Sequence, residues 1–269
     1  MKAFVQRHPL LTLLLIFNTF GQAVAFVPVV ASRVYGVQLD VDWILAAATI
    51  LFLLVPALVI TWITGGREGL RDLLTKVFRF RVSWRWYLLP LVLIPLVIAG
   101  QALALDPSTL VPAYGTAFLP ALAFQFLSTN WWEEAVWMGF FQAPLQDRYG
   151  PMKAVLITTP FFALEHLSVV TGVVPFVLLT LIIIPARALF AWIYNRTGSV
   201  ALAGLAHAAT NAAAFGMVPA LTGSTGDSGM TLLVLGLVVI VATRGRLGRP
   251  RVARTDDRAL TSVDGRLGS

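Results

Sequence analysis

Residues 173–194 read VVPFVLLTLIIIPARALFAWIY, a run of 22 residues that contains one charged side chain, Arg187. A helix of this length extends for about 33 Å at ~1.5 Å per residue, which matches the ~30 Å hydrocarbon core of a bilayer. A stretch this long and this apolar is typical of a transmembrane helix. Similar runs recur along the rest of the chain.

The composition of the whole chain agrees with a membrane protein. Hydrophobic residues make up 58% of the 269 residues, charged residues make up 12%, and the mean hydropathy is +0.80, whereas a soluble domain has about 25% charged residues. The net charge is +7, but the basic residues flank apolar runs. We therefore expect contacts with anionic lipid headgroups and no nucleic-acid partner. The absence of cysteine excludes disulfides, thiolate zinc sites and cysteine nucleophiles.

Eight apolar runs predict an all-α fold, a polytopic membrane helical bundle of about eight transmembrane helices. The first run resembles a secretory signal up to Ala25, but its apolar character continues to Val30, so we expect this helix to be retained. We place the eight helices near residues 10–31, 43–64, 87–105, 117–141, 152–169, 173–194, 199–218 and 230–243.

The distribution of basic residues predicts the orientation of the bundle. With eight crossings, 18 of the 20 lysines and arginines fall on the side of the two termini, and the opposite loops hold only Arg33. By the positive-inside rule, both termini are expected in the cytoplasm. We interpret the chain as a multi-pass integral membrane protein of a bacterial inner membrane.

Several polar groups occur inside predicted spans, where they are rare. A charged residue at the bilayer centre costs roughly 2.5–3.5 kcal/mol on insertion scales, so such groups are expected to face a polar interior and to mark a functional site. Two pairs, Phe162 with His166 and His207 with Asn211, are spaced four residues apart and each shares a helix face. The ionisable members are Glu133, Glu134, Glu165, His166, Arg187 and His207.

These residue types can perform peptide hydrolysis. A buried glutamate can take a proton from water, and a histidine can orient that water or protonate the leaving amine. Donors such as the Asn211 amide and the His207 ring can stabilise the oxyanion that forms. The same groups can also form a zinc site, in which two histidines and one glutamate leave the fourth position for water.

Three short motifs follow one another within the predicted spans. They are WEEAVWMG at 132–139, FALEH at 162–166 and HAATN at 207–211. They resemble the motifs EExxxR, FxxxH and HxxxN of the CPBP intramembrane metalloproteases, a family that includes CAAX prenyl endopeptidases and Abi-type bacterial proteins.

The resemblance implies a hydrolase that performs intramembrane proteolysis. Glu133 would activate water together with His166. His207 and Asn211 would hold the oxyanion, and Glu134 would be the second carboxylate of the first motif. A zinc ion, if present, would be bound by Glu133, His166 and His207, and a metal-free mechanism with glutamate-activated water is equally compatible.

The resemblance and the spans together divide the chain into four parts. Residues 1–115 form accessory transmembrane helices with an interfacial amphipathic helix over 65–86, whose leucines share one face. Residues 116–218 form a catalytic core of four helices, and 219–243 contain the last transmembrane helix. Residues 244–269 form a basic cytoplasmic tail that is expected to be disordered.

One residue departs from the family pattern. Met138 stands where the first motif has arginine, four residues after Glu134, which is the spacing of a helical ion pair. We expect Arg187 to replace that arginine as the partner of Glu134, or else to lie near the cytoplasmic end and extend to the headgroups. Glu165 stands at a position that the motif FxxxH leaves variable, and its place beside His166 predicts another face, with either a structural hydrogen bond or a supporting contact to a site residue.

Two other functions stay open at this point. Met138 allows a catalytically silent family member that acts as a membrane scaffold. An ion- or proton-coupled transporter also buries carboxylates and histidines in the membrane, although the chain shows no internal repeat. For a protease, the expected substrate is a peptide or protein with a membrane-proximal segment, and no motif indicates whether it is prenylated.

Overall fold

A computed structural model describes residues 2–103, 106–170 and 172–249 of the chain. These residues form helices joined by short turns, and no β-strand occurs among them. The predicted disordered tail therefore lies outside the described residues from position 250 onward.

Each of the eight predicted spans corresponds to a helix or to a continuous helical run. Six of the eight are long and apolar enough to cross a bilayer, judged by length and composition within the described residues. The two exceptions, the fifth and the eighth, have 15 residues each. The polytopic helical bundle is confirmed, while the number of crossings and the orientation stay predictions. The helices are α1 Pro9–Tyr35, α2 Val41–Val77, α3 Trp84–Gln101, α4 Pro107–Tyr149, α5 Pro151–Glu165, α6 Val173–Thr197, α7 Val200–Thr222 and α8 Gly229–Thr243.

The predicted interfacial helix 65–86 is shorter than expected. It continues α2 beyond a break at Gly66 (φ 59°, ψ −152°) and ends at Val77. Its leucine face packs inward and its charged face is exposed, as the pattern predicts. Beyond Val77 the carbonyls of Arg79 and Phe80 accept hydrogen bonds from Ser199 and Tyr87, both at 2.6 Å, and these tertiary bonds draw the chain away from a helical path.

Helix α7 lies at the centre of the bundle. Of its most apolar stretch, 78% is buried, against 17–39% for the other five long helices. Alanines dominate its inward positions, and small residues let helices approach closely in membranes. At Gly204 the backbones approach closely, because a Cβ atom there would lie 2.8 Å from Trp131 Cα and 3.2 Å from the Asn130 carbonyl oxygen. This contact holds the first half of α7 against α4.

Helix α4 widens on both sides of the glutamate pair. The Trp131 N–H donates to the Phe126 carbonyl and the Ala143 N–H donates to the Met138 carbonyl, five residues back in each case. Such π-type turns occur frequently at functional sites. They leave Glu133 and Glu134 in one short α-helical turn, Trp131–Glu134, and they change the faces that the following residues present.

Candidate active site

Both glutamates of the first motif meet His207 between α4 and α7. His207 Nδ1 lies 3.1 Å from Glu134 Oε1 and 3.6 Å from Glu133 Oε2. All three residues are buried, with exposed fractions of 7% for Glu133, 0% for Glu134 and 8% for His207. The first and third motifs therefore form one contact, as their polar character inside apolar helices predicts. The shorter distance assigns the imidazole mainly to Glu134.

Asn211 reaches Glu133 through an asparagine that the motifs do not contain. The Asn211 amide donates to Asn130 Oδ1 at 3.3 Å, and the Asn130 amide donates to Glu133 Oε2 at 3.1 Å. Asn130 is 2% exposed, so its buried amide group is occupied by these two hydrogen bonds. Sequence reasoning missed this residue. The available signal was a polar amide inside an apolar span, three residues before Glu133 and therefore on a neighbouring part of the same face.

His166 follows directly after the last residue of α5. Its backbone (φ −93°, ψ 5°) has left the helical path, and its Nδ1 lies 3.0 Å from the Phe162 carbonyl oxygen. The Phe162 and His166 ring centroids are 5.1 Å apart, so the pair shares one face as predicted. A proton on Nδ1 donates to that carbonyl and leaves Nε2 as an acceptor.

Residues of the first and second motifs line one small cavity. Its volume is about 70 Å³, and Glu133, Glu165 and His166 contribute to its wall. About 10–15 Å³ suffices for one water molecule, so the cavity has room for a few. His207 approaches Glu133 from outside this lining.

Helices α1 and α2, which the sequence suggests are accessory, close the cavity. Phe17 and Ala25 of α1 and Leu45, Ala48 and Thr49 of α2 line it. The Gln22 side chain of α1 also donates to the Leu164 carbonyl at 2.6 Å, which ties α1 to the end of α5. The walls beside Glu133 and His166 thus come from parts of the chain that carry no motif.

Glu165 lies on the same cavity as His166, contrary to the predicted other face. The two residues stand on either side of the helix end, so the angular spacing of a regular helix does not apply to them. The predicted structural hydrogen bond is confirmed, because the Trp137 indole N–H donates to Glu165 Oε2 at 2.8 Å.

Arg187 is enclosed in the bundle, with an exposed fraction of 0%. The alternative in which it extends to the headgroups is therefore wrong. Its Nη2 donates to the Trp137 carbonyl at 3.3 Å, and its guanidinium lies 5.2 Å and 5.0 Å from the ring centroids of Trp137 and Phe162. No carboxylate of the described residues lies within 4.0 Å of it, so the predicted direct ion pair with Glu134 is also wrong.

Aromatic rings enclose the histidine of the third motif. The Phe190 ring stacks on His207 at 5.1 Å between centroids, and the Phe162 ring lies 6.2 Å from His207. Phe162 also meets the Trp137 ring edge to face at 5.3 Å. Such a setting limits the tilt of the imidazole and excludes water from its sides.

The candidate metal ligands do not form a metal site in this arrangement. Among the described ranges, no three histidine or carboxylate side chains form a group that could hold a metal ion. His166 Nδ1 faces the Phe162 carbonyl and His207 Nδ1 faces Glu134. These Nδ1 contacts leave the Nε2 atoms unassigned, so it is the separation of Glu133, His166 and His207 among the described residues that keeps them from being gathered into a metal site.

Comparison with known proteins bears on the same helices. Residues 115–213 match the family model described as type II CAAX prenyl endopeptidase Rce1-like. No curated protein and no solved structure matches the chain. The matched residues contain all three motifs and run from α4 into α7. Over residues 115–213 this integral membrane protein is thus similar to the Rce1-like CAAX prenyl endopeptidases, in agreement with the resemblance of its motifs.

Proposed function

We propose that the protein is an intramembrane endopeptidase that hydrolyses a peptide bond of a membrane-proximal segment. The observation that supports this most is that Glu133 and His166, from two different motifs, line one cavity with room for water. A base, a second proton-carrying group and water in one enclosed space are the requirements of general base hydrolysis.

In the proposed reaction, Glu133 takes a proton from a water molecule that His166 orients. The hydroxide adds to the carbonyl carbon of the scissile bond, and the C–N bond then breaks as Glu133 returns the proton to the leaving amine. The Asn130 amide beside Glu133 Oε2, at 3.1 Å, keeps this carboxylate in one orientation. Fixed orientation matters because proton transfer requires hydrogen-bond reach.

The oxyanion of the tetrahedral intermediate would be held by His207 and Asn211. Each donor of this kind contributes about 3–4 kcal/mol to lowering the barrier. Asn211 uses one amide N–H toward Asn130, and the amide group has a second. Glu134 would accept the Nδ1 proton of His207 at 3.1 Å, and a protonated His207 would donate to the oxyanion from Nε2. The second carboxylate of the first motif thus has a positioning role.

The experiment is cleavage of a membrane-proximal peptide by purified protein in proteoliposomes. Because the substrate is unidentified, candidates come from comparing membrane peptides in cells that express the normal chain or Glu133→Gln. We expect Glu133→Gln and His166→Ala each to lower kcat by about 10²–10⁴-fold, the usual contribution of acid–base catalysis. Glu68→Gln, at an exposed position of the interfacial segment, is the matched control.

Two outcomes would reject the proposal. Unchanged cleavage in both site variants would show that the bond is cut elsewhere. No cleavage by the normal chain, together with proton-driven solute uptake lost in Glu133→Gln, would instead indicate a transporter.

A further inference from the structure

Arg187 is a buried cation that the proposed reaction does not use. An arginine keeps its charge at any pH that proteins experience, and an unbalanced charge inside a membrane is costly. Two of its nitrogens, Nε and Nη1, have no hydrogen-bond partner among the described residues. The charge of Arg187 must therefore be balanced by charges nearby rather than by a single direct ion pair.

The groups around Arg187 are those of the candidate site. Its guanidinium bonds the carbonyl of Trp137, whose indole holds Glu165. Trp137 comes three residues after Glu134 on α4. Glu134 Oε2 and Glu165 Oε1 are also buried and have no partner in the described part of the chain. Trp137 thus links one unbalanced cation to the carboxylate of Glu165, while the carboxylate of Glu134 belongs to the preceding turn of the same helix.

Met138 explains why a cation is needed from another helix. Its side chain is fully buried in the main apolar core, at the position where the first motif has arginine. Arg187 reaches the residue directly before it, because the guanidinium bonds the Trp137 carbonyl at 3.3 Å. Met138 belongs to this turn of α4, and Arg187 approaches the turn from α6.

We propose that Arg187 of α6 supplies the positive charge that the first motif lacks at Met138, and that it positions the buried carboxylates of the site through Trp137. Opposite charges attract strongly over several ångströms where the effective dielectric constant is low. The rings of Trp137 and Phe162, each about 5 Å from the guanidinium, hold the cation in place. Arg187 is a positioning residue here, and this role rests on the proposed function.

The test removes the positive charge at position 187 and places one at position 138, where the first motif has arginine. We expect Arg187→Leu to lower kcat by about 10²-fold, the effect of misplacing a site by about 1 Å, while KM changes less than threefold. Met138→Arg in the Arg187→Leu background should recover at least tenfold of that loss. Arg187→Lys should retain part of the activity, because it keeps the charge but loses the planar fork. Arg196→Leu, at an exposed position of the same helix, should behave as the normal chain.

A stability measurement separates this inference from the proposed function. In a double-mutant cycle of Arg187→Leu and Glu134→Gln, thermal unfolding in detergent should show that the double variant loses less than the two single losses together. Additive losses, or a kcat unchanged in Arg187→Leu, would overturn the role of Arg187. Failure of the proposed function would instead leave the coupling intact and remove all Glu133-dependent cleavage.

Folding of the variants is also decisive. If Arg187→Leu does not fold, the variant that combines Arg187→Leu with Met138→Arg decides the question. A folded chain with both Arg187→Leu and Met138→Arg supports the inference, and a chain that stays unfolded in that combination contradicts it.

Discussion

Replacing Gly204 by alanine should separate the two helices that carry the candidate site. The added Cβ would lie 2.8 Å from Trp131 Cα, and ordinary contact begins at 3.4 Å. Trp131 Cα is a backbone atom and cannot rotate away, so α7 must move from α4 by about 0.6 Å at this point. His207 lies one turn further along α7.

The displacement is small, but it changes the hydrogen-bond distance between His207 and Glu134. His207 Nδ1 and Glu134 Oε1 are 3.1 Å apart, and a shift of this size along the contact would bring them to about 3.7 Å, beyond hydrogen-bond range. Overpacking a tight contact costs about 1–3 kcal/mol of stability. A misplacement approaching 1 Å can cost about 10²-fold in rate. We therefore expect Gly204→Ala to lose about 1–3 kcal/mol of the free energy of unfolding and 10–100-fold in kcat.

The measurements are thermal unfolding in detergent and steady-state cleavage in proteoliposomes. Gly115→Ala is the matched control, because Gly115 also lies in a helix but a Cβ there would meet nothing within 4 Å. Its stability should be unchanged or slightly higher, since alanine favours a helix by up to about 1 kcal/mol over glycine. Equal stability and equal kcat in the two variants would refute the reasoning that Gly204 sets the spacing of the site.

Three other predictions follow from the contacts of the site. Asn130→Ala should lower kcat about 10–100-fold, because a hydrogen bond to a charged group contributes about 1.5–3 kcal/mol; kinetics equal to the normal chain would contradict the relay. Trp137→Phe keeps a ring beside Arg187 but removes the donor to Glu165, so thermal unfolding should reveal a loss of about 1–3 kcal/mol, and full stability would count against that bond. Dialysis against a chelator should leave cleavage unchanged, and a loss that zinc restores would replace the glutamate mechanism by a metal-dependent one.

The helices and the contact between the first and third motifs could be predicted from the sequence for physical reasons. A bilayer requires about 20 apolar residues per crossing. All eight predicted runs became helices, and six of these are long and apolar enough to cross. Polar groups in these runs must avoid lipid, so Glu134 and His207 had to turn inward, where they meet at 3.1 Å. Both inferences depend on local composition alone.

Features that depend on packing could not be predicted. Asn130 became part of the site because α7 touches α4 at Gly204, a contact between residues distant in the sequence. The end of α5 at Glu165 placed Glu165 and His166 on one cavity. The cavity walls from α1 and α2 contain ordinary apolar residues, for which a lipid-facing position and a cavity-facing position look alike in the sequence.

The position of Arg187 shows how charge balance constrains this fold beyond its motifs. Three carboxylates, of Glu133, Glu134 and Glu165, lie within the bundle, and carboxylates confined in a low dielectric repel one another strongly. The first motif offers no cation, since Met138 is apolar, and the exposed arginines of the interfacial segment lie elsewhere. In the role proposed above, the enclosed guanidinium of α6, held by Trp137 and Phe162, balances the charge of these groups. The stability of the bundle is then expected to depend on the sum of its buried charges, so removing one carboxylate from the Arg187→Leu chain should make it more stable than Arg187→Leu alone.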